Sequence, residues 1–247
     1  MKTIVSLTED GVRAAAEEFL AVIAKNSQAV LALDASDDAL AVLRRAAPLA
    51  KERGISLREA SVFAVWEFEG AEPCDARSAA SRLREAFFNG TDADEGKLHL
   101  PDAAAPEAYD ARIVDAGGID LALLSLGINA RVGFNEPATP FDSNTHVQKL
   151  TDKTKRELAP LFGGEEAVPP RGVTMGFRQL CFARELIVIA LGEEKSAAVF
   201  HMLYGRDDSV YPAAFLQIPP NVTVYADKSA AAKLDGASFD AVKFNGD

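Results

Sequence analysis

Cysteine, long apolar runs and positive charge are all scarce in this sequence of 247 residues. The two cysteines, Cys74 and Cys181, have no metal-type spacing, which predicts reduced thiols in a cytoplasmic protein. No apolar run is long enough to span a membrane, and the first residues read as a strand rather than a secretory signal. Acidic residues outnumber basic ones by 37 to 26, giving a net charge of −11, which argues against nucleic acid and membranes as partners.

Several common site motifs are missing as well. The three histidines, His99, His146 and His201, make no ligand spacing with one another or with a cysteine. The sequence also has no Walker loop, no GxSxG elbow and no nucleotide-binding glycine fingerprint. We therefore expect neither a metal nor a cofactor.

Short apolar runs alternate with helical patterns along the chain. The spacing predicts one helix from a cap at Ser36 to a stop at Gly54 and another over residues 196–204. We also expect a helix capped by Asp75 and a helix over residues 173–182. This alternation predicts a mainly parallel α/β sheet with helices on both faces, in a single domain spanning residues 1–247.

The most informative stretch covers residues 119–137 and reads IDLALLSLGINARVGFNEP. It begins as a continuous apolar run, which is typical of a strand buried on both faces of a parallel sheet. Gly127 then ends the strand, and a polar loop with an Asn-Glu-Pro segment follows. Because open α/β sheets bind ligands where strand ends turn into loops, we expect the site here.

This loop resembles the active-site loop of the glucosamine-6-phosphate deaminase and galactosamine-6-phosphate isomerase family, which normally reads G-x-[DN]-G-H-[IL]-[AG]-[FL]-N-E-P. Further similar segments are RGVTMGF at 171–177, LGEEK at 191–195 and PAAFL at 212–216. The resemblance covers most of the chain and favours the galactosamine branch. It implies a Rossmann-like fold, conversion of an aminosugar phosphate to a keto-sugar phosphate with loss of ammonia, a small sugar or sugar-phosphate ligand, and a homo-oligomer.

The family's phosphate loop, [AP]-T-G-x-T-P, is replaced here by the segment DASDDA at residues 34–39. Glycine lets backbone amides approach a phosphate closely, and the N-terminus of the following helix adds positive potential. Asp37 and Asp38 instead put negative charge into that turn. Ser36, Asp37 and Asp38 therefore form either a self-capped helix start or a site suited to a cation, an amine or a neutral sugar.

Two further family positions have changed. Trp66 stands where the family has its catalytic aspartate, and it cannot abstract a proton because an indole only donates hydrogen bonds. Trp66 either fills the cavity or stacks on a ligand. Arg131 replaces the histidine and stays protonated, so it either binds an anion or pairs internally with Asp37, Asp38 or Glu136.

Three family positions are retained. Glu136 and Asn129 stand at catalytic positions, where Glu136 either shapes the turn or keeps a residual role and Asn129 can bind a hydroxyl. Lys195 matches the lysine that contacts phosphate in the family, and we expect a solvated role more than a phosphate contact. A further phosphate-binding arginine of the family aligns near Pro160.

These substitutions favour a family member that has lost the reaction and at most binds a ligand. One alternative is an enzyme with an altered sugar substrate, which uses Glu67, Glu136 or another carboxylate as its base. The least favoured alternative is a hydrolase similar to 6-phosphogluconolactonase, because that branch also needs the Gly-His pair that is Ala130-Arg131 here.

Overall fold

The computed structural model of the chain describes residues 1–72, 74–205 and 210–234, together with the backbone of residues 240–241. Its strands are β1 Lys2–Ser6, β2 Val30–Leu33, β3 Ser61–Ala64, β4 Trp66–Phe68, β5 Leu98–His99, β6 Leu121–Ser125, β7 His146–Lys149, β8 Arg171–Thr174, β9 Glu185–Ala190, β10 Val222–Asp227 and β11 Asp240–Ala241. Its α-helices are α1 Thr8–Lys25, α2 Asp37–Arg53, α3 Ala79–Ala86, α4 Pro106–Asp115, α5 Asp152–Phe162, α6 Phe177–Cys181 and α7 Ser196–Tyr204.

Eight strands form one parallel sheet in the order β11-β1-β10-β9-β6-β2-β3-β5. The central strand β6 is buried along its whole length, as its continuous apolar run predicts. From β2 the chain adds strands towards β5, and from β6 it adds strands towards β10. The strand order therefore reverses between β2 and β6, and open α/β sheets bind ligands at the carboxyl ends of such a pair.

The direction of each crossover decides which face its helix covers. Parallel crossovers are right-handed, so α1, α2 and α3 share one face, and α4 and α7 lie on the opposite face because their connections run the other way. The contacts of α2 with α1 and α3 agree with this arrangement. The predicted parallel α/β architecture with helices on both faces is confirmed.

A second, antiparallel sheet joins β4, β8 and β7, and β4 follows β3 directly at its carboxyl end. Its middle strand, β8, corrects the helix expected over residues 173–182. Only Phe177–Cys181 is helical there, because the preceding residues extend and pair with Trp66–Phe68 on one side and His146–Lys149 on the other. This sheet matters for the site because it places Trp66 at the start of β4.

Two helix ends show how local sequence set the boundaries. Gly54 ends α2 with a φ of 63°, a left-handed conformation that favours glycine. The expectation for Asp75 is wrong, because its carboxylate binds Arg77 and the hydroxyl of Ser78 accepts the capping hydrogen bond of α3 from the amide of Ser81.

No helix among the described residues is both long enough and apolar enough to cross a membrane.

Candidate functional site

A cavity of about 400 Å³ opens beyond the carboxyl ends of β2 and β6, where the strand order reverses. It lies between the N-terminus of α2, the helices α3 and α5, and the turn that precedes α7. Its lining residues are Ala35, Ser36, Asp37, Asp38, Trp66, Arg82, Ile128, Arg131, Arg156, Glu157, Leu158, Pro160, Leu161, Glu194 and Lys195. The position and the size suit a small-molecule ligand.

The loop between β2 and α2 is built around Asp34, whose side chain is fully buried. One oxygen, Oδ1, accepts hydrogen bonds from the amide of Ser36 at 2.8 Å, from its hydroxyl at 2.6 Å and from Trp66 Nε1 at 2.9 Å. The other, Oδ2, accepts from the amide of Ser125 at 3.2 Å. Ser36 is the N-cap of α2, but its hydroxyl is turned to Asp34 and does not cap the helix.

Trp66 forms part of the cavity wall and is 2% exposed. Its ring packs against Phe68 and Phe134 with centroid distances of 5.1 and 4.6 Å, while its N–H is held by Asp34. The indole therefore has one fixed orientation. Its ring is packed into the wall of the cavity, which favours the cavity-filling role over stacking on a ligand.

Asp38 and Lys195 form a buried ion pair across the carboxyl ends of the central strands. Lys195 Nζ donates to Asp38 Oδ2 at 2.5 Å, and the two side chains are 9% and 12% exposed. The same oxygen of Asp38 accepts from the amide of Leu191, and Lys195 Nζ also lies 3.4 Å from the hydroxyl of Ser125. Burial raises the pKa of Asp38, and the Lys195 ammonium opposes this shift. The solvated role expected for Lys195 is wrong.

Asp37 makes a second, more exposed ion pair at the cavity mouth. Its carboxylate accepts from Arg82 Nη2 at 2.5 Å, while Arg82 Nε donates to the carbonyl of Ala35 at 2.8 Å. The Asp37 side chain is 90% exposed and the Arg82 side chain is 13% exposed. The Arg82 guanidinium is therefore largely buried and fixed by the Ala35 carbonyl, whereas the Asp37 carboxylate lies in solvent.

Arg131 is buried, and its partner is none of the three carboxylates expected from the sequence. Its Nη2 donates to Glu157 Oε2 at 3.1 Å, and its Nη1 donates to the carbonyl of Gly133 at 2.6 Å. Arg131 does form an internal ion pair, as expected, but the partner is Glu157 on α5. Asp37 and Asp38 are already bound to Arg82 and Lys195. Gly127 packs against Arg131, and a Cβ at Gly127 would overlap with Arg131 Cγ.

Glu136 and Asn129 belong to the inner structure of the loop. Glu136 is 1% exposed, and its carboxylate accepts from Asn129 Nδ2 at 2.6 Å and from the amide and hydroxyl of Thr151 at 3.1 Å each. Neither residue lines the cavity at β2 and β6. Asn129 instead borders a separate cavity of about 590 Å³ near Pro137 and His201. This geometry favours the turn-shaping role of Glu136.

Glu67, the other suggested base, faces away from the cavity. Its carboxylate accepts hydrogen bonds from the amides of Phe68, Ala79 and Ala80 at 2.9 to 3.0 Å, so it fixes the first turn of α3. Burial raises its pKa, and these three amides oppose the shift. Because all of its hydrogen bonds serve the backbone, Glu67 is a structural carboxylate.

Charges of both signs balance around the cavity. The lining contains four carboxylates, from Asp37, Asp38, Glu157 and Glu194, and four cations, from Arg82, Arg131, Arg156 and Lys195. Three of the carboxylates bind a lining cation. The negative charge that Asp37 and Asp38 place in the first turn of α2 is thus neutralised by the protein itself.

Three residues of the site, Asp34, Arg82 and Glu157, are not among the sequence-predicted site residues. Only Asp34 carries a signal in the sequence, because an aspartate directly after a buried strand needs hydrogen-bond donors. Arg82 and Glu157 carried none. Each reads as a charged position on an amphipathic helix, and only the packing of α3 and α5 beside the cavity gives them partners there.

Comparisons with known proteins agree with the motif resemblance. No family model matches the chain. The chain is 35% identical over 216 residues to a glucosamine-6-phosphate deaminase of Lysinibacillus sphaericus, a match that covers 85% of this chain and 91% of that protein. It is 32% identical over 238 residues to a glucosamine-6-phosphate deaminase of Mycoplasma mycoides, covering 95% and 98%.

Solved structures give the same result. A monomeric glucosamine-6-phosphate deaminase, described as a missing link of the NagB superfamily, matches with a TM-score of 0.91 and 27% identity over 94% of this chain and 99% of that one. The 6-phosphogluconolactonase from Trypanosoma brucei matches with a TM-score of 0.72 and 20% identity over 95% and 99%, a likeness of fold alone.

Proposed function

Because the chain belongs to the glucosamine-6-phosphate deaminase family, we propose that it is a member that has lost the family's isomerisation and deamination and has kept a cavity for a small ligand without a phosphate. The galactosamine branch, the single domain over residues 1–247, a homo-oligomer and a cytoplasmic location stay predictions.

The ion pair between Asp38 and Lys195 carries this proposal. By resemblance, Lys195 matches the family's phosphate-contacting lysine, and Asp38 stands where the family's phosphate loop has threonine. Here the Asp38 carboxylate already binds the Lys195 ammonium at 2.5 Å. A phosphate on Lys195 would either lie against the Asp38 carboxylate, which repels it, or displace that carboxylate, and leaving a buried charge without its partner costs about 3–5 kcal/mol. The Asp38 carboxylate thus takes the place on Lys195 that the substrate's phosphate takes in the family.

The proton-transfer groups support the same conclusion. Trp66 occupies the position of the catalytic base, and its only polar atom donates to Asp34. Arg131 occupies the position of the histidine and is held by Glu157 and the carbonyl of Gly133. Neither side chain can accept a proton, and loss of the general base alone reduces a rate by about a hundredfold to ten-thousandfold.

The alternative of an enzyme with an altered substrate needs a base that faces the cavity. Glu67 and Glu136 do not line it, Asp38 and Glu157 are bound by buried cations, and Asp37 lies almost entirely in solvent at the cavity mouth. Glu194 remains, because it borders the cavity and makes no ion pair within the described residues. Loss of turnover in a Glu194→Gln variant would identify such an enzyme if any sugar phosphate proved to be a substrate. The lactonase alternative rests on fold alone.

The direct test is an assay of ammonia release and keto-sugar phosphate formation from glucosamine 6-phosphate and galactosamine 6-phosphate. The Lysinibacillus sphaericus relative, assayed in parallel, is the positive control. We expect no turnover by this protein above the buffer rate with either substrate. Saturable formation of ammonia and ketose phosphate in equal amounts would refute the proposal.

A restoration experiment separates a decayed site from a wrong assignment. Trp66→Asp alone would place a second carboxylate against buried Asp34, so we expect it to destabilise the protein without gain of activity. The change must be combined with Asp34→Ala, Arg131→His and Asp38→Thr, which return four positions to residues of the family pattern. We expect this combination to bind glucosamine 6-phosphate where the wild type does not.

A further inference from the structure

Arg82 is the one lining cation whose protein partner is both anionic and almost fully exposed. Its Nε donates to the carbonyl of Ala35 at 2.8 Å, which fixes the plane of the guanidinium beside the cavity. Its Nη2 binds Asp37, whose side chain is 90% exposed. Within the part of the chain that the structure describes, Arg82 Nη1 forms no hydrogen bond.

The two ion pairs at the start of α2 therefore differ in how easily their anion is exchanged. In the pair of Asp38 with Lys195 both side chains are buried, so separating them leaves unpaired charges away from water. Asp37 can rotate into solvent, where it is fully hydrated, and an ion pair with so exposed a carboxylate contributes little. A carboxylate from another molecule can take its place on Arg82.

We propose that Arg82 binds the carboxylate of a small ligand, so that the cavity takes a sugar acid in place of a sugar phosphate. This inference rests on the proposed function, because it takes the same cavity as the ligand site. The planar guanidinium matches a carboxylate through two parallel hydrogen bonds, one from each terminal nitrogen. A ligand carboxylate adds one negative charge to the cavity, whereas a phosphate ester adds two.

The rest of the cavity agrees with a sugar acid. A phosphate would bring up to two negative charges close to Asp38, which already binds the nearby ammonium of Lys195. The apolar side chains of Ile128 and Leu158 in the lining can contact the C–H groups of a sugar ring. A volume of about 400 Å³ accommodates one monosaccharide.

The test uses two probes, D-glucuronate and D-galacturonate, which carry a carboxylate at C6. Binding is followed by calorimetry and by the fluorescence of Trp66, which is the only tryptophan of the chain and lines the cavity. D-glucose and D-glucose 6-phosphate are the matched comparisons. We expect at least one uronate to bind about tenfold or more tightly than either of them.

Variants then assign the contact. We expect Arg82→Gln to weaken uronate binding by about tenfold to a hundredfold. Arg82→Lys keeps the charge without the planar fork, so we expect a partial loss; it decides the question if the glutamine variant does not fold. The control is Arg44→Gln, which breaks the exposed ion pair with Glu85 and does not border the cavity.

Three results would overturn the inference: no uronate binding at millimolar concentration, equal or tighter binding of glucose or glucose 6-phosphate, or uronate affinity unchanged by both Arg82 variants. These failures differ from failure of the proposed function, which is turnover of an aminosugar phosphate with release of ammonia.

Discussion

Replacing Asp38 with threonine, the residue of the family pattern, should convert a protein that ignores phosphate into one that binds it. In the wild type the Lys195 ammonium is bound by Asp38 at 2.5 Å, and the two side chains are 9% and 12% exposed. Removing one partner of a buried ion pair typically costs about 3–5 kcal/mol. Because both side chains here keep slight contact with solvent, we expect a loss of about 3 kcal/mol, at the lower end of that range.

The lost stability should return when an anion is supplied. Inorganic phosphate can then bind Lys195 in place of the missing carboxylate, and ligand at a hundredfold excess over its dissociation constant adds about 2.7 kcal/mol. The assay is urea unfolding of the wild type and of Asp38→Thr at constant ionic strength, with and without inorganic phosphate. Chloride replaces phosphate in the reference samples so that general screening is held fixed.

Asp37→Ala is the matched control, because it removes the same charge from the next residue but leaves Lys195 paired. Asp37 is 90% exposed, so we expect a change of about 1 kcal/mol or less and no specific response to phosphate. Equal stabilisation of the wild type and Asp38→Thr by phosphate would refute the reasoning. So would an Asp37→Ala variant that responds as strongly as Asp38→Thr.

Three further predictions concern the loop and its supports. Glu157→Gln leaves Arg131 without its carboxylate and should destabilise the protein by about 2–3 kcal/mol, whereas Glu85→Gln, at an exposed ion pair, should change stability by less than about 1 kcal/mol in the same unfolding assay. Gly127→Ala should cost about 1–3 kcal/mol by overpacking against Arg131, and a neutral result would show that the Arg131 side chain lies elsewhere. Burial raises the folded-state pKa of Glu67 above its ordinary value of 4.5, so the native state retains a proton that the unfolded chain has released, and stability should rise as the pH falls from that raised pKa towards 4.5. Glu67→Gln should reduce this rise and leave the contribution of Asp38, whose pKa is also raised by burial, and an unchanged pH profile would contradict it.

The sequence predicted the main sheet well because its signals are local. Continuous apolar runs predict the buried strands, and the structure confirms the predicted end of α2 at Gly54 and the helix over residues 196–204. The antiparallel sheet was missed because β8 owes its conformation to partners far away in the chain, on β4 and β7. A five-residue helix follows it directly, so the local pattern over residues 173–182 favoured helix throughout.

The site, too, could be predicted from the sequence only where the signals are local. The loop positions of Ser36, Asp38 and Trp66 were visible in the motifs, and all three lie at the cavity. Their partners were not visible, because ion pairing depends on which helices pack beside the strand ends. Lys195 is 157 residues from Asp38, and nothing local in its sequence distinguishes a buried cation from a solvated one.

Arg131 illustrates the limit most clearly. The simultaneous gain of acid in one loop and base in another favoured a pair between the two loops. The sequence of α5 does not point to Glu157 as a partner, because the pattern is that of an amphipathic helix with solvated charges. Its carboxylate lies 3.1 Å from the guanidinium, and Asp37 and Asp38 are already bound to Arg82 and Lys195.

The most direct test of the account is a crystal of the wild-type protein soaked with glucosamine 6-phosphate. We predict that Lys195 keeps its contact with Asp38 and that no phosphate group lies against the first turn of α2. A phosphate bound to Lys195, with the Asp38 carboxylate displaced, would contradict the central claim that the protein fills this position with its own anion.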